Sequence, residues 1–120
     1  MEPNVLNEAK AALEGLDTDK IVSAYHDDFV FEDVPGGQRI TNKTALRTYF
    51  QSLFSLPGVA FTDISIHEGE TSAAIEWTWC GDKVSSPGVY RIRGASVIEL
   101  REGKIARESI YYDPTEALPG

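Results

Sequence analysis

The sequence contains a single cysteine, Cys80, and only two histidines, His26 and His67. One cysteine excludes an intramolecular disulfide, and neither histidine has a second ligand at the spacing typical of a structural zinc site. We therefore expect no disulfide and no metal ion. A chain without a disulfide fits a reducing compartment, so the expected location is the cytoplasm.

Long apolar runs and positive charge are also scarce. No stretch approaches the roughly 18 to 20 apolar residues of a membrane-spanning helix, and the N terminus lacks the basic and apolar regions of a secretory signal. The 11 lysines and arginines are outnumbered by 19 aspartates and glutamates, which leaves a formal net charge of -8. Because this charge repels phosphate backbones and anionic lipids, we expect neither nucleic acid nor a membrane as a partner.

The amount of apolar sequence limits the number of domains. With 120 residues and 42% hydrophobic content, the chain can bury one core but not two independent ones. We expect a single domain over residues 1–120.

Helical periodicity marks the N-terminal part of the chain. Apolar residues recur at spacings of three and four between residues 5 and 16, with Gly15 as the expected C-terminal cap. A second helix is predicted to begin after Asp17, whose carboxylate can cap it, and to end near residues 26–28. Tyr25 belongs to the predicted buried stripe of this helix.

The most regular amphipathic segment follows Asn42, the predicted N-cap of a third helix. Its apolar side recurs at i, i+3, i+4, i+7 and i+8 and consists of Leu46, Tyr49, Phe50, Leu53 and Phe54. Before it, alternation over residues 29–34 predicts a short strand that carries Asp33, and residues 35–37, Pro-Gly-Gly, predict a turn.

The remainder of the chain alternates with the two-residue period of strands. Four strands are predicted, at residues 59–67, 71–80, 89–100 and 104–113. Helices followed by hairpin-connected strands indicate an α+β fold with the helices on one face of an antiparallel sheet.

Three stretches carry a resemblance to a known family: residues 25–33, residues 74–81, and residues 93–100, the last of which continues through 103–105 to 111–113. They resemble the nuclear transport factor 2-like superfamily, particularly its SnoaL-like polyketide cyclase and ketosteroid isomerase relatives. The resemblance implies a cone-shaped α+β barrel, in which three N-terminal helices pack in a curved, mainly antiparallel sheet. An apolar closed end and an open end for a small hydrophobic molecule are also implied.

The resemblance further implies which side chains face the interior. Asp33 is taken as inward, as in the isomerase relatives, and strand parity then gives the other positions. The implied substrate-binding walls are Phe29, Phe31, Phe50, Phe54, Trp77, Trp79 and Ile110.

The implied inner face carries four candidate catalytic residues: Asp33, Ser96, Glu108 and Tyr112. Asp33 matches the base of ketosteroid isomerases, and a carboxylate between aromatic rings is partly desolvated, which suits proton transfer. Tyr112 and Ser96 are the expected hydrogen-bond donors, and Glu108 is a second acid. Two alternatives stay open: a solvated Asp33 bonded to the following turn, and a one-residue register shift that faces Glu108 to solvent.

The chain departs from its relatives at positions that determine the reaction. Ala9 and Ser96 stand where ketosteroid isomerases have a tyrosine and a protonated aspartic acid as oxyanion donors. Trp77, Trp79 and Ile110 stand where limonene-type epoxide hydrolases have an Asp-Arg-Asp set, and SnoaL-like cyclases commonly have an aspartate in place of Ile110.

These departures leave several functions open. We expect a cofactor-independent isomerase or cyclase that abstracts a proton from a small hydrophobic carbonyl or polycyclic compound. A non-catalytic binding or assembly domain and an epoxide hydrolase-like enzyme are the alternatives.

The apolar residues expected on the outer face of the sheet indicate that a second copy of the chain is a partner. Relatives usually pair through this face, which here is expected to present Val89, Val97, Ile105 and Tyr111. An exposed apolar patch is typical of an interface, so we expect a homodimer.

Overall fold

The computed structural model describes residues 4–84 and 86–115, and residues 1–3, 85 and 116–120 of the predicted domain lie outside them. In the described part, helices precede most of a six-stranded sheet, which confirms the α+β class. The helices are α1 (Val5–Gly15), α2 (Thr18–Ser23) and α3 (Lys43–Phe54). The strands are β1 (Tyr25–Asp33), β2 (Gln38–Ile40), β3 (Ala60–Glu68), β4 (Ser72–Asp82), β5 (Val89–Arg101) and β6 (Lys104–Tyr112).

Side-chain hydrogen bonds cap the N-terminal ends of α2 and α3, as the sequence predicts. Asp17 Oδ1 accepts a hydrogen bond from the Lys20 amide at 3.0 Å, and Asn42 Oδ1 accepts one from the Ala45 amide at 2.8 Å. The C-terminal cap of α1 was expected at Gly15, but Leu16 takes the left-handed conformation, with φ 53°. Gly15 remains helical because the chain reverses at Leu16, directly before the cap of α2.

The predicted end of the second helix near residues 26–28 is wrong. Helix α2 stops at Ser23, and Tyr25 opens β1, where it pairs with Ile105 of β6. Pairing with a strand 80 residues away in sequence overrides the local helical spacing. The sequence also did not predict β2, which continues the chain after the turn and pairs with β1.

The sheet is mixed and its strand order is β2-β1-β6-β5-β4-β3. Every neighbouring pair is antiparallel except β1 and β6, which run parallel. The long strands β4 and β5 pair from Ser72 opposite Glu99 to Asp82 opposite Val89. All four strands predicted in the second half of the chain are confirmed.

A bulge in β6 changes which side chains face inward. Glu99 pairs with Arg107, whereas the next residue, Leu100, pairs with Ile105, so that Ala106 has no partner on β5. A bulged residue shifts the alternation of the strand by one. Ile105 and Glu108 are consequently both buried, and the prediction that Ile105 lies on the outer face is wrong.

The core lies between the helices and the inner face of the sheet. Its most deeply buried large side chains come from α1, α3, β1, β5 and β6, and they are Leu6, Leu46, Phe31, Ile98 and Ile105. No helix among the described residues has both the length and the apolar character needed to cross a membrane.

Candidate active-site cavity

A cavity of about 690 Å³ lies between the helices and the inner face of the sheet. Its exposed lining residues, which mark the rim, are Gln38, Thr48, Ser52 and Leu56. Most of the remaining wall is apolar or aromatic. A volume of this size suits a small molecule.

Most of the predicted walls line this cavity, namely Phe31, Phe50, Trp77, Trp79 and Ile110. Phe29 and Phe54 do not. Phe29 is buried in the core, where its ring packs edge-on against Tyr25 with centroids 5.4 Å apart. Phe54 is half-buried and packs between the rings of Phe50 and Phe61.

Asp33 is buried at the end of β1 and accepts hydrogen bonds from three groups. The Tyr112 hydroxyl lies 2.8 Å from Oδ1 and 3.0 Å from Oδ2, and the Tyr49 hydroxyl lies 2.8 Å from Oδ2. The Gly36 amide donates to Oδ1 at 3.0 Å. A Cβ at residue 36 would lie 3.0 Å from this carboxyl group, so a glycine allows the turn to approach it closely.

The two tyrosines that contact Asp33 remain hydrogen-bond donors over the physiological pH range. Burial, followed by the charge of Asp33 and its hydrogen bond, raises the pKa of Tyr49 well above its ordinary value. Burial and the hydrogen bond to Asp33 also raise the pKa of Tyr112. Both hydroxyls therefore keep their protons and donate hydrogen bonds to the carboxylate of Asp33.

Glu108 lies in the same cavity, on the strand next to Asp33, and is 7% exposed. Burial raises the pKa of this carboxyl group, although hydrogen bonds from the Tyr25 and Ser96 hydroxyls oppose the shift. The neutral acid is therefore favoured over a wider pH range than in water. Burial also raises the pKa of Tyr25 well above its ordinary value, with Glu108 as the next cause.

Ser96 lies between this acid and the indole ring of Trp77. Trp77 Nε1 donates a hydrogen bond to Ser96 Oγ at 3.0 Å. The indole ring lies over Gly94, its partner on β5, where a Cβ would approach ring atom Cζ3 to 2.5 Å. The absence of a side chain at residue 94 thus lets Trp77 lie flat in the wall.

Tyr25 and Tyr49 are polar site residues that sequence reasoning missed. Both were treated as apolar members of predicted helical stripes, yet their hydroxyls contact the two buried acids. A tyrosine on a stripe that faces a predicted acid is the signal that could have found Tyr49. Ala9 also lines the cavity, and its methyl group donates no hydrogen bond.

Two acidic side chains, Asp33 and Glu108, line the cavity. Among the described residues that line it, none is lysine, arginine or histidine. Within the same described ranges, no three histidine, cysteine, aspartate or glutamate side chains are grouped so that they could hold a metal ion. The arrangement can therefore exchange protons and hydrogen bonds with a ligand.

Three solved structures illustrate the similarity of fold. A protein of Catenulispora acidiphila DSM 44928 with a ketosteroid isomerase-like fold, solved with trimethylamine, has a TM-score of 0.83 at 17% identity, over 98% of this chain and 92% of that chain. A protein of Pseudomonas putida KT2440 proposed to be a polyketide cyclase has a TM-score of 0.78 at 20% identity, over 93% and 91%.

The third is SalBIII, an epoxide hydrolase/cyclase-like enzyme with a role in pyran ring formation in the polyether salinomycin. It has a TM-score of 0.74 at 22% identity, over 93% of this chain and 90% of that chain. At these identities the likeness shows the fold and leaves the reaction open. No protein with a curated description matches the chain in sequence.

The sequence match to a family model covers most of the chain. The model of the SnoaL-like domain matches residues 7–108 of the 120. This match agrees with the helix order, the mixed sheet and the neighbours of ketosteroid isomerase-like fold. The chain belongs to the SnoaL-like family and has the nuclear transport factor 2-like fold.

Proposed function

We propose that this protein is a cofactor-independent isomerase or cyclase that abstracts a proton from a small hydrophobic carbonyl or polycyclic compound. The observation that carries the proposal is that Asp33 and Glu108 line one largely apolar cavity. Phe31 pairs with Glu108 and Asp33 with Ile110, so the Cα atoms of the two acids lie about 8 Å apart from strand spacing and rise. A ligand can span both groups.

In the proposed reaction Asp33 is the base. A carboxylate oxygen takes a proton from the carbon next to the carbonyl. The electron pair of that C–H bond forms a carbon–carbon double bond, and the π pair of the carbonyl moves to its oxygen to give an enolate. Isomerisation returns the proton to another carbon, whereas cyclisation forms a bond from the enolate to an electrophilic carbon of the same molecule. The hydrogen bonds from Tyr49 and Tyr112 hold the carboxylate in position for this step.

The walls favour chemistry at carbon over attack by water. Hydrolysis requires a water molecule held between two or more polar groups. Ile110 lies on β6 opposite Asp33 and is buried, so its methyl groups occupy the place where an acid could hold such a water. The epoxide hydrolase-like alternative therefore receives less support than proton abstraction.

A non-catalytic small-molecule-binding or assembly domain is the second candidate. The observation that favours it is that Tyr49, Tyr112 and the Gly36 amide already occupy the oxygens of Asp33, so a substrate proton must compete with them. Ala9 also supplies no donor to an enolate oxygen.

Hydrogen exchange at carbon tests the proposal without knowledge of the natural substrate. The ketone 2-decalone is incubated with the protein in D2O, and deuterium uptake next to the carbonyl is followed by mass spectrometry. We expect Asp33→Asn to slow this uptake by at least about a hundredfold, because the amide cannot accept the proton. Asp28→Asn, on the same strand but exposed, is the matched control and retains wild-type uptake.

The outcomes separate the two candidates. Uptake by Asp33→Asn at the wild-type rate contradicts the role of Asp33 as base. A wild type that binds the ketone, as measured by calorimetry, but catalyses no uptake supports the non-catalytic binding domain.

We also propose a homodimer formed through the outer face of the sheet. Val97 and Tyr111 are about half exposed on this face, and Val89 is exposed at the start of β5. Apolar groups that are exposed together in this way favour association with a second copy.

A further inference from the structure

The buried carboxyl group of Asp33 has no positively charged partner among the described residues. Its oxygens contact two tyrosine hydroxyls and one backbone amide, which are all neutral donors. The residues paired with it across the sheet, Gln38 on β2 and Ile110 on β6, are also neutral. Asp33 is 5% exposed, so bulk water does little to compensate its charge.

The neighbouring acid on the same strand does have a positively charged partner. Glu32 lies on the opposite face of the sheet from Asp33, and its Oε1 lies 3.2 Å from Arg107 Nη2. Within residues 4–84 and 86–115, the acids that form ion pairs have side chains at least 33% exposed, and none of them is Asp33 or Glu108. The acids in the cavity therefore differ from those at the surface in having no compensating cation.

The negative charge of the cavity lies on Asp33 rather than on Glu108. Burial raises the pKa of Glu108, which favours its neutral form. Burial is also the largest cause that raises the pKa values of Tyr49 and Tyr112, and the charge of Asp33 adds to it, so both hydroxyls remain neutral donors. No basic side chain among the described lining residues opposes the charge of Asp33. An anionic ligand is therefore repelled, and a cationic one is attracted.

Aromatic rings lie beside the same carboxylate. The hydroxyl of Tyr112 contacts Asp33, and the centroid of the Tyr112 ring lies 6.1 Å from that of Trp77 and 5.8 Å from that of Trp79. All three rings line the cavity. The face of an aromatic ring attracts a cation within about 6 Å of its centroid, and tryptophan does so most strongly. A cation beside Asp33 can therefore contact aromatic rings as well as the carboxylate.

The hydrogen bonds of Asp33 limit the kind of cation. A carboxylate offers about four acceptor positions on its two oxygens. The three donors bring three hydrogens, because Tyr112 shares one hydrogen between the two oxygens at 2.8 and 3.0 Å. One position is left, which matches the single N–H of a tertiary ammonium ion. A primary ammonium ion has three N–H groups, and two of them would find no acceptor position on Asp33.

We propose that the cavity binds a tertiary organic ammonium ion, which donates its N–H to Asp33 and places its alkyl groups against the rings of Trp77, Trp79 and Tyr112. The hydrocarbon part of the ligand occupies the apolar remainder of the cavity of about 690 Å³. Folding has already removed most of the water from the carboxylate, so binding desolvates only the ligand. This ligand class goes beyond the proposed function, because it uses the same cavity but does not require Asp33 to act as a base.

Two probes of equal shape test the proposal. They are N,N-dimethylbenzylamine, which is protonated at neutral pH, and isobutylbenzene, which has a C–H in place of the N–H. The chain has two tryptophans and both line the cavity, so titration of the tryptophan fluorescence reports binding there. We expect the wild type to bind the ammonium ion at least about tenfold more tightly than the hydrocarbon. Benzyltrimethylammonium, which has no N–H, should bind at least about threefold more weakly than the tertiary ion.

Substitutions assign the preference to the carboxylate and to the rings. Asp33→Asn keeps the size of the side chain but removes its charge, so the ammonium affinity should fall at least about tenfold while the isobutylbenzene affinity stays within about twofold. Asp28→Asn changes an exposed acid on the same strand and is the matched control, which should behave as the wild type. Trp79→Leu removes one ring and should weaken ammonium binding about threefold more than hydrocarbon binding.

Three outcomes overturn the proposal. They are equal affinity of the wild type for the ammonium ion and the hydrocarbon, an unchanged preference in Asp33→Asn, and an equal loss of preference in Asp28→Asn. The last result would assign the preference to the overall charge of -8 instead of to the cavity. The preference should also persist in about 0.5 M sodium chloride, because an enclosed ion pair is screened less than exposed charges, and its loss in salt would likewise contradict the proposal.

The binding measurement requires no turnover, so it is independent of the proposed reaction. Deuterium uptake from 2-decalone without an ammonium preference would contradict this proposal alone. An ammonium preference without deuterium uptake would contradict only the role of Asp33 as a base.

Discussion

Replacement of Gly94 by alanine tests whether the indole ring of Trp77 packs over residue 94 in the wall of the cavity. The new Cβ would lie 2.5 Å from Trp77 Cζ3 and closer still to Cη2, which is far inside normal contact distance. The indole ring must therefore move into the cavity. Its hydrogen bond to Ser96, now 3.0 Å long, should be lost with that movement.

The expected loss of stability can be worked from these contacts. Overpacking costs about 1 to 3 kcal/mol, and loss of the Trp77 hydrogen bond costs about 0.5 to 1.5 kcal/mol. Alanine recovers about 0.5 to 1 kcal/mol because it restricts the unfolded chain more than glycine does. We expect a net loss of about 0.5 to 4 kcal/mol, or a fall in Tm of roughly 2 to 16 °C for a domain of this size.

Thermal unfolding followed by circular dichroism measures the effect, and two further variants interpret it. Gly15→Ala, at the end of α1 where a new Cβ would have no neighbour within 4 Å, should not lower Tm. Trp77→Phe, with a smaller ring, should recover part of the loss when combined with Gly94→Ala. An unchanged Tm in Gly94→Ala would refute the placement of the indole ring over residue 94.

Three further predictions concern Glu108, Ile110 and the outer face. The raised pKa of Glu108 means that its neutral form stabilises the fold fully below the unfolded value, near 4.5, and less as the pH rises through the folded pKa. Urea unfolding should therefore show that Glu108→Gln gains stability over the wild type as the pH rises from about 4.5, and parallel pH profiles would contradict this. Ile110→Asp should cost about 1 to 3 kcal/mol, because a carboxyl group enters an apolar wall, and unchanged urea unfolding would mean that residue 110 faces solvent. Light scattering should give the mass of a dimer for the wild type and a smaller mass for Val97→Glu, whereas a wild-type monomer at micromolar concentration would contradict the dimer.

The elements with the strongest local pattern could be predicted from the sequence. The repeat of Leu46 and Phe50 on one side of a helix, together with Asn42 at its start, is a local signal, and α3 has that cap and that buried side. The two-residue period of the last four strands is equally local, because alternate side chains of a strand must face opposite sides.

Local patterns failed where distant pairing decides the structure. Residues 25–28 follow a helix and continue its spacing, yet they form part of β1, which pairs with β6 at Tyr25 and again from Val30 onward. Ile105 was assigned outward by alternation, which holds only until a bulge interrupts it. Neither the parallel pairing of β1 with β6 nor the bulge in β6 can be recognised from a short stretch of sequence.

The amino-acid sequence was sufficient to predict the fold class, to show the family resemblance and to place Asp33 and Glu108 on strands of the predicted sheet. The three-dimensional packing was needed to show that Tyr49 and Tyr112 contact Asp33, and that Tyr25 and Ser96 lie beside Glu108. Helix and strand propensities and the periodicity of apolar residues reflect interactions between residues a few positions apart. These contacts instead join α3, β1, β5 and β6. Hydrogen bonds between such distant segments depend on sheet register and side-chain direction, which form only when the whole chain packs.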